Sequence, residues 1–148
     1  MRAFAKPEPT PVIRPVLAAI ILLVPALPAS AATPITGHWM TAGKDSVVEI
    51  SACGPRLCGK VSKLVNPKPG RPTVDANNPN PALRTRPLVG LPILSNFADS
   101  GSEWDGTIYD PRSGKSYRSK VARNPDGTLK VQGCIAFFCQ TQIWAAAQ

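Results

Sequence analysis

The chain has 148 residues, a formal net charge of +8 and 43% hydrophobic residues. This length suits one domain with one modest hydrophobic core. The sequence contains neither a dense block of lysine and arginine nor the signature of a nucleic-acid-binding fold, so its positive charge does not predict nucleic acid as a partner.

The N-terminal segment has the pattern of an export signal. Three basic residues precede an apolar run at 16–27, and Ala29-Ser30-Ala31 follows as a small-x-small cleavage site. The run is shorter than the ~20 residues that span a bilayer. We therefore predict that residues 1–31 are removed, and that 32–148 form a periplasmic or secreted domain without a transmembrane segment. An uncleaved membrane anchor is the alternative.

Turn signals rich in Gly, Pro and Asp recur along the rest of the chain, and the segments between them are short. In the segment 115–123, Tyr117, Ser119 and Val121 share one face, as alternation in a strand requires. Because no segment has a helical period, the pattern predicts an all-β fold, either a small antiparallel barrel or a sandwich of about eight strands. The predicted strands are 36–41, 45–53, 58–65, 89–95, 103–110, 115–123, 128–134 and 139–145.

One segment, 66–87, breaks this rhythm with six prolines and cannot be an interior strand. A connection this long in a small domain is usually functional or disordered. Asp75, Asn78, Arg84 and Arg86 offer a carboxylate, an amide and two forked donors, and we predict that they contact a ligand. Alternatively, Asp75 pairs with one of the arginines simply to pin the loop.

The four cysteines form two Cys-x4-Cys pairs, Cys53 with Cys58 and Cys134 with Cys139. Export favours oxidation, and four cysteines permit three disulfide connectivities. We favour the two local bonds because each pair brackets a turn. A zinc site is the alternative, although zinc pairs are usually spaced Cys-x2-Cys. The sequence predicts no metal and no cofactor.

Other residues offer weaker chemistry. His38 is the only histidine, and Glu103 and Asp105 lie two residues apart on one strand face, where they could share acid–base work. The simpler interpretation is that all three are solvated residues on the strand surface.

Trp39 and Trp144 lie in the first and last predicted strands, which are neighbours in a closed barrel, so we predict that both are core residues.

Several short motifs occur in order along the chain. They are Gly37-x-Trp39, Asp45-Ser-Val-Val-Glu-Ile50, Cys53-x4-Cys58-Gly59-Lys60-Val61, Asp75-x-Asn77-Asn78-Pro79, Arg84-x-Arg86-Pro87-Leu88-x-Gly90-Leu91, Ile108-Tyr109-Asp110-Pro111-x-Ser113-Gly114-Lys115-x-Tyr117 and Gly133-Cys134 through Trp144.

As a set, these motifs resemble the domain of unknown function 2147 family of small exported bacterial proteins, across essentially all of 32–148. The resemblance implies a bacterial envelope protein with a compact β fold, and it implies no reaction. One feature departs from the family pattern, in which an arginine tends to follow the last tryptophan closely. Here Trp144 is followed by Ala145-Ala146-Ala147-Gln148, so a terminal arginine contact is absent.

The leading hypothesis is a non-catalytic binding module of the cell envelope that engages a small molecule or an anionic envelope component. Gly37-x-Trp39 also resembles the first strand of lipocalins, and an eight-stranded barrel can hold one small ligand. The site would lie where 66–87 meets the barrel mouth. The alternatives are a structural or stress-related envelope protein without a ligand, and a hydrolase that uses Glu103, Asp105 or His38. The sequence sets no oligomeric state.

Overall fold

A computed structural model describes residues 30–148, which form one antiparallel sheet closed on itself. Each strand pairs with the next in sequence, and the first pairs with the last, so the predicted barrel is confirmed and the sandwich is not formed. The predicted export signal, apart from its last two residues, lies outside the described residues. The strands are β1 (Gly37–Met40), β2 (Ser46–Cys53), β3 (Arg56–Leu64), β4 (Pro92–Asp99), β5 (Trp104–Asp110), β6 (Lys115–Arg123), β7 (Leu129–Ile135) and β8 (Phe138–Ala146).

The fourth strand differs from its predicted bounds, because it begins and ends later than 89–95. Gly90 has a φ of +88° and its amide donates to the Val61 carbonyl at 2.7 Å, so the chain is still turning there. The strand then continues past Asn96, whose φ of +58° accompanies a shift of register against β5. A β-bulge of this kind inserts an extra residue and bends the strand, which the sequence pattern does not reveal.

Two tryptophans lie where the sheet closes. Trp39 pairs with Ala146 across the β1–β8 seam, and Trp39 and Trp144 are each only 2% exposed. The Trp39 indole Nε1 donates to the Ile35 carbonyl at 2.8 Å, so its one polar group is satisfied. The prediction that both tryptophans are core residues is confirmed.

Residues 30–36 cover one end of the barrel, which we call the closed end. The β2–β3, β4–β5 and β6–β7 turns lie at the same end. Ile35 is buried in the core, and the Trp104 indole donates to the Thr33 carbonyl at 2.9 Å. The backbone nitrogen of Ala32 donates to both carboxylate oxygens of Asp99, at 3.0 and 3.1 Å. These contacts fix the segment across the barrel end.

Both predicted disulfides are present, and each staples one hairpin. Cys53–Cys58 joins β2 to β3 at the closed end, and Cys134–Cys139 joins β7 to β8 at the opposite end. A loop this short contributes about 2 kcal/mol in the chain-entropy model. Because all four cysteines are in disulfides, they are not available as zinc ligands. The disulfides also indicate that the protein folds outside the cytoplasm.

Helical structure within residues 30–148 is limited to a single 3₁₀ turn, Pro81–Leu83. Within residues 30–148, no helix is both long enough and apolar enough to cross a membrane.

If the predicted signal is removed after Ala31, the Ala32–Asp99 contact predicts that this removal stabilises the remaining domain. If cleavage follows Ala31, the donor becomes an ammonium group, and its hydrogen bonds to the carboxylate become charge-assisted. We expect Asp99→Asn to lower the free energy of unfolding by about 0.5–1 kcal/mol more in protein that begins at Ala32 than in the same protein with an acetylated N-terminus. Urea unfolding of the four proteins measures this difference, and an equal loss with and without acetylation would contradict it.

Candidate functional site

The end of the barrel opposite the closed end is open. Four connections surround it, at 41–45, 65–91, 111–114 and 136–137. A cavity of about 1000 Å³ lies between these connections and reaches down into the barrel. This volume is at the upper end of the range of small-molecule sites in proteins.

The walls of this cavity are mainly apolar. Val131 and Trp144 form its floor and also belong to the hydrophobic core, so the cavity begins where core packing stops. Gln142 adds a polar group near the floor, where its Oε1 accepts a hydrogen bond from the Trp144 indole at 3.2 Å. The side chains higher in the cavity include Val61, Leu64, Leu88, Ile93, Ile108, Tyr109, Tyr117 and Gln140.

Glycines in the strands show why one half of the interior is full and the other is not. A Cβ atom at Gly106 would lie 2.6 Å from the Phe97 ring, and one at Gly59 would lie 2.9 Å from Leu94. At Gly133, by contrast, the nearest atom to an added Cβ is Cγ2 of Ile108, at an ordinary contact distance of 3.7 Å. Large neighbours fill the space beside the first two glycines, whereas the space beside Gly133 is part of the cavity.

Charged residues line the rim of the cavity. Arg71 pairs with Asp45 at 2.6 Å, and Arg112 pairs with Asp110 at 3.3 Å. Lys68 lies on the same rim and belongs to none of the ion pairs among the described residues. The mouth therefore presents cationic groups, two of them with a carboxylate partner.

The Asp45 carboxylate also ties two segments of the rim together. It accepts hydrogen bonds from the Thr41 and Ser46 hydroxyls, at 3.0 and 3.2 Å. Burial raises the pKa of Asp45, but these two hydrogen bonds and the charge of Arg71 outweigh that effect and lower it below the ordinary value. At neutral pH the group is an anion that holds the 65–91 connection to the β1–β2 turn.

The four residues predicted to contact a ligand form a hydrogen-bonded cluster inside the long connection. Asp75 is completely buried. Its Oδ1 accepts from the Tyr109 hydroxyl at 2.7 Å, and its Oδ2 accepts from Asn78 Nδ2 at 2.7 Å. Arg86 donates to Oδ2 through two nitrogens, at 3.0 and 2.9 Å. Arg84 joins the cluster through Asn78, because the Arg84 Nε donates to the Asn78 backbone carbonyl at 2.8 Å.

The donors around Asp75 keep it ionised although it is buried. Burial raises the pKa of the Asp75 carboxyl, but the hydrogen bonds from Tyr109, Asn78 and Arg86 outweigh it and lower that pKa below its ordinary value. Burial and the neighbouring Asp75 charge together raise the pKa of the Tyr109 hydroxyl. The cluster is therefore stable across the whole neutral range.

This geometry is the one expected if Asp75 pins the loop, because its partner is Arg86. Residues lining the cavity include Val74, Asn77 and Tyr109, but none of the four predicted residues. Direct contact of Asp75, Asn78, Arg84 or Arg86 with a ligand stays a prediction.

Asn77 fixes the same loop to the β5–β6 turn. Its Nδ2 donates to the Arg112 carbonyl at 2.9 Å. A Cβ atom at Gly114, where φ is +68°, would collide with the Asn77 carbonyl oxygen. Only glycine fits there, and the close contact of the two backbones holds the loop against the rim. The Asn77 and Tyr109 contacts are not predictable from the sequence, because each joins residues more than thirty positions apart.

The residues proposed for a hydrolase lie away from the cavity. Glu103 and Asp105 both pair with Lys120, at 2.7 and 3.6 Å. His38 is exposed on β1, opposite Glu49 of β2. Since β1 and β5 lie on opposite sides of the eight-stranded ring, His38 does not meet Glu103 or Asp105.

Comparison with known proteins identifies the family and supports the fold. Residues 37–146 match the model of a family described as "Uncharacterized protein conserved in bacteria (DUF2147)". No protein with a curated description matches the chain. Among solved structures, protein HP1028 from the human pathogen Helicobacter pylori, described as belonging to the lipocalin family, is similar with a TM-score of 0.67. The two chains are 23% identical over 79% of this chain and 85% of that chain, which establishes a lipocalin-like barrel fold.

The buried carboxylate gives a prediction about loop order. Asp75→Asn removes the charge that Arg86 and Tyr109 share, and because the Arg86 side chain is 37% exposed, we expect a cost of about 1–3 kcal/mol, mainly from the lost hydrogen bonds. We expect backbone amides in 66–87 to lose hydrogen-exchange protection at pH 7 while β6 and β7 keep theirs. Asp126→Asn, which removes an exposed carboxylate from the distant β6–β7 turn, is the matched control. Unchanged loop protection in Asp75→Asn would refute the pinning role.

The same cluster predicts a difference in acid stability. Because the folded pKa of Asp75 lies below its unfolded value of about 3.9, its stabilisation is present above about pH 4 and is lost as pH falls through the folded pKa. Wild-type protein should therefore lose more stability than Asp75→Asn between pH 7 and pH 3. Thermal unfolding across this range measures the two slopes, and parallel slopes would contradict the assignment.

Proposed function

We propose that this chain, which belongs to the DUF2147 family of uncharacterized bacterial proteins, is an exported, non-catalytic binding protein that holds one small molecule in the mouth of its barrel. The observation that carries the proposal is the cavity of about 1000 Å³ above Trp144 and Val131. A closed eight-stranded barrel is just wide enough for its interior to be filled by side chains or to hold one small ligand. In this protein, side chains fill the closed end of the barrel, and the open end contains the cavity.

The chemistry of the cavity favours an amphipathic ligand. Apolar walls such as Val61, Ile93 and Ile108 suit an aliphatic or aromatic body. The rim carries the cations Lys68, Arg71 and Arg112, which suit a carboxylate, phosphate or sulfate group at the end of the ligand that faces solvent. We therefore infer a ligand with an apolar body and an anionic end, either a free small molecule or an anionic envelope component.

The loop cluster takes part in this proposal by holding one wall of the site. Asp75, Asn78, Arg84 and Arg86 fix the connection that supplies Val74, Thr73 and Leu88 to the cavity. Their effect on affinity is then indirect, through the position of this wall.

Two observations weigh against the alternative functions. A structural protein without a ligand has no need of a large unfilled interior, and an open cavity costs stability through lost packing. A hydrolase that uses Glu103, Asp105 or His38 would need these groups together in a cleft, but none of them lines the large cavity, and only Asp105 lines a second, smaller cavity of about 140 Å³. The two disulfides support export, and the choice between periplasm and secretion rests on the predicted signal.

Gly133 offers a direct test, because it lines the cavity and an added Cβ atom there would make only ordinary van der Waals contacts. We expect Gly133→Leu to fold normally and to bind 8-anilinonaphthalene-1-sulfonate, an apolar probe with an anionic end, at least about tenfold more weakly than wild type. Gln132→Leu introduces the same side chain at the next position, which faces the other side of the sheet, and is the matched control. Fluorescence titration of native protein gives the affinities, and thermal unfolding verifies the fold.

Saturable probe binding of equal strength in Gly133→Leu and in wild type would refute the cavity as the site. Gly133→Ala provides an intermediate point, since its one added methyl group fills less of the cavity than leucine does. An ordered decrease in affinity from glycine through alanine to leucine is the result expected from filling one cavity.

A further inference from the structure

The tip of the β7–β8 hairpin exposes a group of large apolar side chains, which we call the apolar tip. Ile135, Phe137 and Phe138 are 65%, 97% and 83% exposed. Three such residues within four consecutive positions form a patch of the kind that marks an interaction surface. Phe137 in particular contributes almost nothing to the core.

The backbone holds this tip in a defined shape. Ile135 pairs with Phe138, so the turn between them has only two residues, Ala136 and Phe137. Ala136 has a φ of +51°, a conformation that costs an alanine roughly 1–2 kcal/mol and that such turns usually assign to Asn or Gly. The Cys134–Cys139 disulfide closes the base of the tip. The unfavourable backbone conformation of Ala136 thus accompanies a phenylalanine, Phe137, that projects from the end of the barrel.

The surplus positive charge of the described residues lies at the same end of the barrel as the apolar tip. The open end and its loops contain nine basic residues and three acidic residues. The closed end contains four of each sign, and near the middle Lys60 pairs with Glu49. The basic residues of the open end are Lys44, Lys63, Lys68, Arg71, Arg84, Arg86, Arg112, Lys115 and Arg118, and the acidic ones are Asp45, Asp75 and Asp110.

From this combination we propose that the open end of the barrel docks onto an anionic phospholipid surface. The apolar tip enters the boundary between headgroups and acyl chains, where aromatic side chains are favoured. The surrounding lysines and arginines then lie against the lipid phosphates, each contributing through an attraction that salt screens. A second copy of this chain is the poorer partner, because its own open end carries the same positive charge.

The proposal goes beyond ligand binding and does not depend on it. Docking in this orientation brings the mouth of the cavity to the membrane surface, because Ile135 and Phe138 also lie on the rim. A molecule with an apolar body could then pass between bilayer and barrel without crossing bulk water.

Sedimentation with vesicles tests the apolar tip. The purified protein is mixed with vesicles of phosphatidylethanolamine and phosphatidylglycerol, or with vesicles of phosphatidylcholine alone. We expect binding to the anionic vesicles, and a loss of at least about tenfold in affinity when Phe137→Ser and Phe138→Ser are combined. Ile143→Ser changes a half-exposed apolar residue on β8, paired with Lys130 and away from the tip, and should leave binding unchanged.

The basic residues are tested in the same assay. Lys115→Gln with Arg118→Gln should weaken binding to anionic vesicles and reduce its dependence on salt. Arg56→Gln, which removes an exposed charge from the closed end, should have little effect. Phe137→Trp adds a reporter at the tip, and brominated lipids should quench the added emission if the tip enters the bilayer.

Equal binding to neutral and anionic vesicles, or unchanged binding of the double phenylalanine variant, would overturn the proposal. So would the absence of vesicle binding together with a wild-type dimer that the phenylalanine changes dissociate in sedimentation analysis, because the tip would then serve a second copy. Gly133→Leu should retain vesicle binding, so failure of the cavity proposal and failure of the docking proposal are seen separately.

Discussion

A closed eight-stranded sheet encloses a fixed interior, and the way side chains divide that interior determines what this molecule can do. At the closed end Phe97 and Leu94 pack directly against Gly106 and Gly59, which leaves no room for a Cβ atom. Residues 30–36 then cover that end. At the open end a Cβ atom at Gly133 would make only ordinary contacts, and Gly133 lines the wide cavity. Packed side chains thus fill one half of the barrel, and the cavity occupies the other.

Outside the barrel wall, the buried Asp75 carboxylate orders the long connection between β3 and β4. A long proline-rich connection cannot form interior strands, so it needs another way to become ordered. Asp75 provides it by collecting donors from its own loop and from Tyr109 of β5. A buried charge is tolerated because its oxygens are hydrogen-bonded and Arg86 supplies the opposite charge. The loop becomes a wall of the cavity as a result.

The parts of this structure that depend on local pattern could be predicted from the sequence. Alternation and turn residues predicted the strands, and cysteines five positions apart across a turn predicted the disulfides. The predicted bounds of the fourth strand differ from the observed ones because the bulge at Asn96 has no local signal in the sequence. The sequence also singled out Asp75 and Arg86, but it could not choose between a ligand contact and a pinned loop. That choice depends on Tyr109, which lies 34 positions from Asp75. The cavity likewise depends on what faces Gly133 across the barrel.

The central claim is that the unfilled half of the barrel exists to hold a small molecule, and native mass spectrometry of the exported protein, purified without denaturation, tests it most directly. The account predicts a species heavier than the bare chain by the mass of one small molecule, which is released on unfolding. Bare chain mass throughout, even after incubation with an extract of bacterial lipids and metabolites, would contradict the claim.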